Sequence, residues 1–167
     1  SLYLSLSDDE YPLYQHNIKR IKQGYHMSCG SVSIDVLSPY GDERESNDGS
    51  IVLKVITEEL SFLLTGDISV YTEEKLIQSY GHHLKSDVLK VAHHGSNTST
   101  SFSFLSYVDQ TYAIISVGRS NQYRFPHQEV LDRLNNKGII IYRTDECGSI
   151  VYSPSKKKSK WEMYLPF

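Results

Sequence analysis

The sequence predicts a layered α/β or α+β domain, and three observations carry that expectation. The first half alternates apolar and polar residues in short runs closed by turn residues, as hairpins do. The second half alternates short apolar runs with amphipathic stretches of helical period. A length of 167 residues, 39% of them hydrophobic, supports a single domain over residues 1–167 with a core of its own.

Each element follows from local pattern. Leu2, Tyr3, Leu4 and Leu6 alternate like the end of a strand, ahead of the acidic Asp8, Asp9 and Glu10. From Pro12 onward, Leu13, Ile18 and Ile21 among basic residues predict a helix closing near Gly24, with Pro early and Gly late. Val32, Ile34 and Val36 mark one face of a strand that Ser38-Pro39 stops. The turn Asn47-Asp48-Gly49-Ser50 opens a strand over 51–56, and Glu58-Glu59 separates it from a partner over 60–64. Residues 71–80 predict a helix capped by Thr72, with Glu73 and Glu74 in its first turn and Leu76 and Ile77 inward.

Beyond it, residues 87–92 form a short apolar strand, 96–103 a Ser/Thr-rich loop and 104–108 a brief helix. A buried strand over 112–117 precedes a helix over 127–136, where Val130, Leu131 and Leu134 share a face before Gly138. Strands over 139–142 and 150–152 flank the turn Asp145-Glu146-Cys147-Gly148. The basic Lys156-Lys157-Lys158-Ser159-Lys160 then gives way to apolar character from Trp161 to Phe167.

Composition narrows the function classes. Seventeen Lys and Arg against 20 Asp and Glu leave a net charge of −3, so any nucleic-acid contact has to be local rather than a property of the whole surface. No apolar run approaches the ~20 residues of a membrane helix, and no signal-peptide pattern opens the chain. Cys29 and Cys147 make one bridge at most and read as two free thiols. A start at Ser1 rather than Met is expected of a piece of a longer protein.

Three predicted strand ends carry chemistry. Leu63-Leu64-Thr65-Gly66-Asp67 runs a strand through a glycine into a carboxylate, which either projects over the sheet edge or serves a turn. The next strand ends in His93-His94-Gly95-Ser96; on a strand the two imidazoles point to opposite sides, so one faces a site while the other packs or orients it. Imidazole and carboxylate together suit Zn²⁺, Mn²⁺ or Fe. The loop after the third strand, 118–127, holds Arg119, Tyr123, Arg124 and His127, groups that grip phosphate or stack on a base. His82-His83 reads as a helix-terminal pair outside this set. If the three strands lie side by side, their polar ends meet on one edge.

The ordered set LLTGD (63–67), DVLKVAHHGS (87–96), AIISVGRSNQY (113–123), PHQEVLDRL (126–134) and YRTDECGSI (142–150) resembles the metallo-β-lactamase-like domain of ComEC-type competence proteins. VLSP (36–39) and SNDGSIVLKV (46–55) extend the resemblance over most of the chain. It implies an αββα sandwich, incomplete at its N-terminal side, within a bacterial membrane protein of DNA uptake whose soluble domain lies on the external face. It implies divalent metal ions, zinc or manganese, with Asp67, His93 and His94 as ligands and the histidine pair as ligand or proton donor. Ser96, Arg119 and His127 then stand as substrate-binding candidates. Phe125 occupies a position where such proteins carry a further histidine, giving HPH, and only His127 remains.

The leading metal motif of the superfamily, HxHxDH or HxDxDH, does not occur in residues 1–66, where the histidines are His16 and His26. The resemblance therefore implies a metal-dependent phosphodiesterase acting on the non-imported DNA strand in the longer protein, with these residues inactive alone. A non-catalytic DNA-guiding or channel-associated module, and a hydrolase of another ester such as a phosphorylcholine ester, are the alternatives the same residues leave open.

Overall fold

Connection length decides strand direction in the computed structural model, which describes residues 2–4, 18–40, 47–154 and 160–165. Strands β1 (Leu2–Leu4) and β2 (Ile18–Arg20) form a separate parallel pair. Short turns then join β3 (His26–Cys29) to β4 (Val32–Ser38) and β5 (Val52–Ile56) to β6 (Ser61–Leu64), a longer connection leads from β4 to β5, and all these neighbours pair antiparallel. Helical crossovers follow. Helix α1 (Val70–Tyr80) leads to β7 (Val88–Lys90), α2 (Phe102–Val108) to β8 (Tyr112–Ile115), and α3 (Gln128–Asn136) to β9 (Ile140–Arg143). Strands β6 to β9 are accordingly parallel and adjacent in one seven-stranded sheet ordered β3 to β9.

Crossovers of one hand that advance in one direction lay their helices on one face of the sheet. The register shows which residues meet them. Leu63, Leu89, Ala113 and Ile141 pair in a row across four strands. That row packs with Leu76 of α1, Phe104, Leu105 and Val108 of α2, and Val130 and Leu134 of α3. Burying each leucine of this kind contributes about 1.5–3 kcal/mol, so the row is the mechanical base of the parallel half. On the opposite face, Trp161 rests against Tyr112 and Tyr142, with ring centroids 5.2 and 5.4 Å apart. It belongs to the antiparallel hairpin β10 (Ser149–Ser153) and β11 (Lys160–Tyr164), which follows the short α4 (Thr144–Cys147).

The mixed α/β class and the strand-helix alternation of the second half agree with the sequence reading. Four local expectations need correction. The helix over 12–24 does not form where the chain is described: Ile18–Arg20 is a strand, and Gly24 sits in a turn whose N–H donates to the Val36 carbonyl at 2.9 Å. Its apolar residues were too sparse to make a continuous helical face, so backbone pairing prevails. Strand β3 escaped detection because His-Met-Ser-Cys has no apolar alternation. Helix α1 is capped by Ser69, whose hydroxyl accepts from the Tyr71 N–H, while Thr72 lies buried behind it. The turn read at 145–148 is mostly the single helical turn α4. The acidic trio, His16, the predicted helix start and Lys156 to Ser159 lie outside the described residues.

Candidate functional site

Parallel neighbouring strands end on one side, so the loops leaving β6, β7 and β8 share an edge. Backbone hydrogen bonds stitch them together. The His93 N–H donates to the Gly66 carbonyl at 3.1 Å, and the His127 N–H to the Gly95 carbonyl at 2.9 Å. The Asn97 N–H donates to His127 Nδ1 at 3.0 Å. The three segments singled out from the sequence are thus brought to one place.

Two glycines make the approach possible. Gly66 has φ +58°, and a Cβ there would lie 2.7 Å from Ser50 Cβ. The Ser50 hydroxyl in turn accepts from the Asp67 N–H at 3.1 Å, which fixes the backbone that carries the carboxylate. Gly95 has φ +86°, and a Cβ there would lie 2.5 Å from Pro126 Cβ. Only glycine lets the histidine turn touch the third loop.

The histidine pair departs from the strand geometry expected of it. Strand β7 ends at Lys90, and His93 and His94 occupy a turn with φ of +47° and +54°. Two successive left-handed residues without glycine cost on the order of 1 kcal/mol or more each, and neighbouring contacts hold them there. Their rings meet edge to face with centroids 6.4 Å apart rather than on opposite sides. The strand rule fails because the sheet register is already lost at Val91.

The turn gives the two imidazoles separate environments. His94 Nδ1 lies 2.6 Å from the Ser116 carbonyl oxygen, which can only accept, so Nδ1 carries the proton. Nε2 then faces Asp67, 3.7 Å from Oδ1, with the two side chains 44% and 40% exposed. His93 instead sets its ring edge-on against Phe125, centroids 5.5 Å apart. His94 is therefore the histidine positioned with Asp67, held in the manner of a metal-ligating imidazole whose other nitrogen is anchored to a carbonyl.

Asp67 and His94 are two donors, and a catalytic zinc takes three protein ligands. Among the described residues no group of three or more His, Cys, Asp or Glu side chains is placed to hold an ion. The described residues do not by themselves fit a closed metal centre. His26 is remote from this edge, on β3, with Nδ1 2.6 Å from Asp35 Oδ1 of β4.

The remaining candidates occupy distinct positions. Ser96 is buried, and its hydroxyl pairs with Thr98 Oγ1 at 2.9 Å within the loop. Arg119 is exposed and donates through Nε to the Asp145 carbonyl at 2.9 Å. His127 accepts at Nδ1, so in its neutral form the proton resides on Nε2. His82 and His83 lie exposed in the turn after α1, as the sequence suggested, with the His82 ring against Tyr107. A cavity of about 300 Å³ between Tyr25, Asp35, Lys54, Tyr80 and His83 includes none of the site residues.

Three supporting residues were missed by sequence reasoning. Lys90, at the end of β7, donates to the Gly66 carbonyl at 3.2 Å and the Val91 carbonyl at 3.3 Å. Burial pushes its ammonium below the usual lysine range, and the Asp67 charge works against that shift. Asp48 Oδ1 accepts from the Ser69 N–H at 3.0 Å, the Ser69 hydroxyl at 2.7 Å and the Thr72 hydroxyl at 2.8 Å. Partial burial opposes its ionisation, but these donors and the Lys75 charge outweigh it and hold the carboxyl below its usual range. Glu73, fully buried in α1, accepts from the Thr100 N–H and from the Ser101 N–H at 2.9 Å. Burial raises its pKa despite those hydrogen bonds and the nearby Arg133. Asp48 carried a local signal as a turn residue and Glu73 as a first-turn helix acid, but neither signal named the distant segment each one holds.

No protein-family model matches the chain. It is 36% identical over 151 residues to ComE operon protein 3 of Bacillus subtilis, covering 90% of this chain and 19% of that protein. Competence protein ComA of Neisseria gonorrhoeae is 41% identical over 108 residues, 65% of this chain and 16% of its own length. Recombination protein 2 of Haemophilus influenzae is 40% identical over 129 residues, 77% of this chain and 15% of its own length. The chain thus spans less than a fifth of the length of each of these relatives. Among solved structures, it is similar to a metallo-β-lactamase superfamily protein of Thermotoga maritima, with TM-score 0.40, 15% identity, and coverage of 78% of this chain and 66% of that one. With relatives 36% and 40% identical over 90% and 77% of its length, the chain belongs to the family of ComEC-type competence proteins.

Proposed function

We propose that this chain is a metallo-β-lactamase-like portion of a membrane-associated DNA-uptake protein, facing the cell exterior, and that its sheet edge hydrolyses phosphodiesters of the DNA strand that is not imported. The observation that carries the reading is the pairing of His94 with Asp67: one imidazole nitrogen is tied to Ser116, and the other faces a carboxylate 3.7 Å away. A basic nitrogen aimed at an anion, both partly exposed, suits a shared cation. Asp67 and His94 would be two of the residues holding zinc or manganese if segments beyond this chain completed the ligand set, and such an ion would supply Lewis acidity to a phosphodiester.

The residues of this chain perform the supporting tasks. Lys90 lies behind Asp67 and holds the backbone of two loops, offsetting the carboxylate charge. His93 braces Phe125, and His127 offers an Nε2 proton near the same loop. Arg119 keeps its terminal guanidinium nitrogens uncommitted among the described residues and so can meet a phosphate. Ser96 serves this site through its loop, since its hydroxyl is engaged with Thr98.

The test is metal-dependent cleavage of single-stranded DNA by the longer protein. Asp67→Ala and His94→Ala should each lower the rate by about 100-fold or more while leaving the melting temperature nearly unchanged. Rates within threefold of wild type would refute the assignment. The scarcity of donors, two among the described residues, favours a second reading in which the edge guides DNA without cutting it. That reading predicts DNA binding by the longer protein with no cleavage at any metal concentration.

A further inference from the structure

We infer that Tyr123 and Phe125 form a stacking ledge for an unpaired nucleobase, linked through the His93 ring to His94, so that the site takes single-stranded rather than base-paired nucleic acid. The inference rests on the phosphodiester reading above and narrows its substrate.

The ledge is built from rings already fixed in place. Phe125 is gripped edge-on from two sides, by His93 at a centroid distance of 5.5 Å and an interplanar angle of 68°, and by His127 at 5.1 Å and 77°. Tyr123 lies nearly parallel to Phe125, at 5.5 Å and 20°. One face of Tyr123 is thereby occupied, yet the residue is 63% exposed. An aromatic ring with one face packed and the rest in solvent is preorganised for a further stacking partner, because little side-chain freedom is left to lose.

The loop beneath it is equally constrained. Asn121 donates to the Gly118 carbonyl at 3.0 Å and the Phe125 carbonyl at 2.8 Å, and accepts from the Phe125 N–H at 2.8 Å. Arg124, with φ +58°, is held left-handed between the two aromatics by its N–H bond to the Asn121 carbonyl at 3.3 Å. Its side chain and that of Arg119 are exposed on the same loop. The sequence therefore alternates cation and ring, from Arg119 through Tyr123 and Arg124 to Phe125, which matches the phosphate-and-base alternation of a single strand. Ring contacts continue from Phe125 through His93 to His94, whose Nε2 faces Asp67.

Base-paired DNA cannot use such a ledge, since its bases are already stacked within the duplex. Phe125 also gains a rationale. Where a histidine would add a ligand, a phenyl ring adds a wall for Tyr123.

The experiment titrates the 167-residue chain, with EDTA present, against three probes of equal length: a thymidine oligonucleotide bearing one 2-aminopurine, the same strand in a duplex, and an abasic strand with the same phosphates. Wild type should quench 2-aminopurine and prefer the single strand. Tyr123→Leu should weaken single-strand binding by about 5- to 100-fold and lose the quenching, while Tyr123→Phe stays within about twofold of wild type. Abasic binding should be the same for all three proteins. If the abasic strand binds as well as the normal one, or Tyr123→Leu binds like wild type, the ledge is wrong and the phosphodiester reading stands. If none of the three probes binds, the ledge falls, while the phosphodiester reading is decided separately by cleavage in the longer protein.

Discussion

A single nitrogen distinguishes the two histidines that the sequence presents as equivalents. The Ser116 carbonyl selects His94 by accepting from Nδ1, and this leaves Nε2 for the Asp67 side. His93 spends its ring on Phe125 instead. Both depend on Gly95, which lets the turn close onto Pro126. Gly95→Ala would place a Cβ 2.5 Å from Pro126 Cβ at a φ of +86°, and a proline ring cannot swing aside. It should destabilise the fold by about 2–4 kcal/mol, combining left-handed strain with overpacking. Gly118→Ala is the control: nothing lies within 4 Å of its added Cβ, and it should change stability by less than about 0.5 kcal/mol. Urea denaturation of the two variants beside wild type decides the matter, and equal midpoints would show that the turn adapts.

Helix α1 does more than cross from β6 to β7. Its N-terminus is fastened by Asp48 from the turn ahead of β5, and its buried Glu73 holds the backbone of residues 100 and 101 at the start of α2. The Asp48 carboxyl is held below its usual range, so the charged form is the one the fold favours. Its stabilisation is fully present above the unfolded-state pKa near 3.8 and is lost as pH falls through the lower folded-state value. Asp48→Ala should therefore cost about 1–2 kcal/mol at pH 7, as a lost helix-terminal acceptor does, and less at pH 3. Stability curves in urea at the two pH values measure the difference. An unchanged gap would mean that packing, not the carboxylate, fastens the helix.

At the scale of the whole molecule, four adjacent parallel strands bring three chemically equipped loops to one edge, yet that edge collects only two metal donors among the described residues. The 167-residue chain alone should show no metal-dependent DNA cleavage and should bind zinc far more weakly than the longer protein, by nuclease assay and calorimetric titration. Cleavage that Asp67→Ala abolishes would show that these residues suffice. Much of this architecture was legible. The short apolar runs over 51–56 and 60–64 and before Asp67, His93 and Gly118 are local patterns bounded by turn residues, so the strands and the residues at their ends could be read directly. The helix over 12–24 and the cap at Thr72 were misread because local propensity is weak wherever a distant segment offers a better partner. The sequence by itself determined that Asp67, the His93-His94 pair and the 118–127 loop each follow a strand. The tertiary structure decided that His94 rather than His93 faces Asp67, that Lys90 backs the site, and that Tyr123 lies on Phe125. Those facts rest on contacts with neighbouring strands and loops, such as His94 to Ser116 and Lys90 to Gly66, which have no local periodicity to betray them.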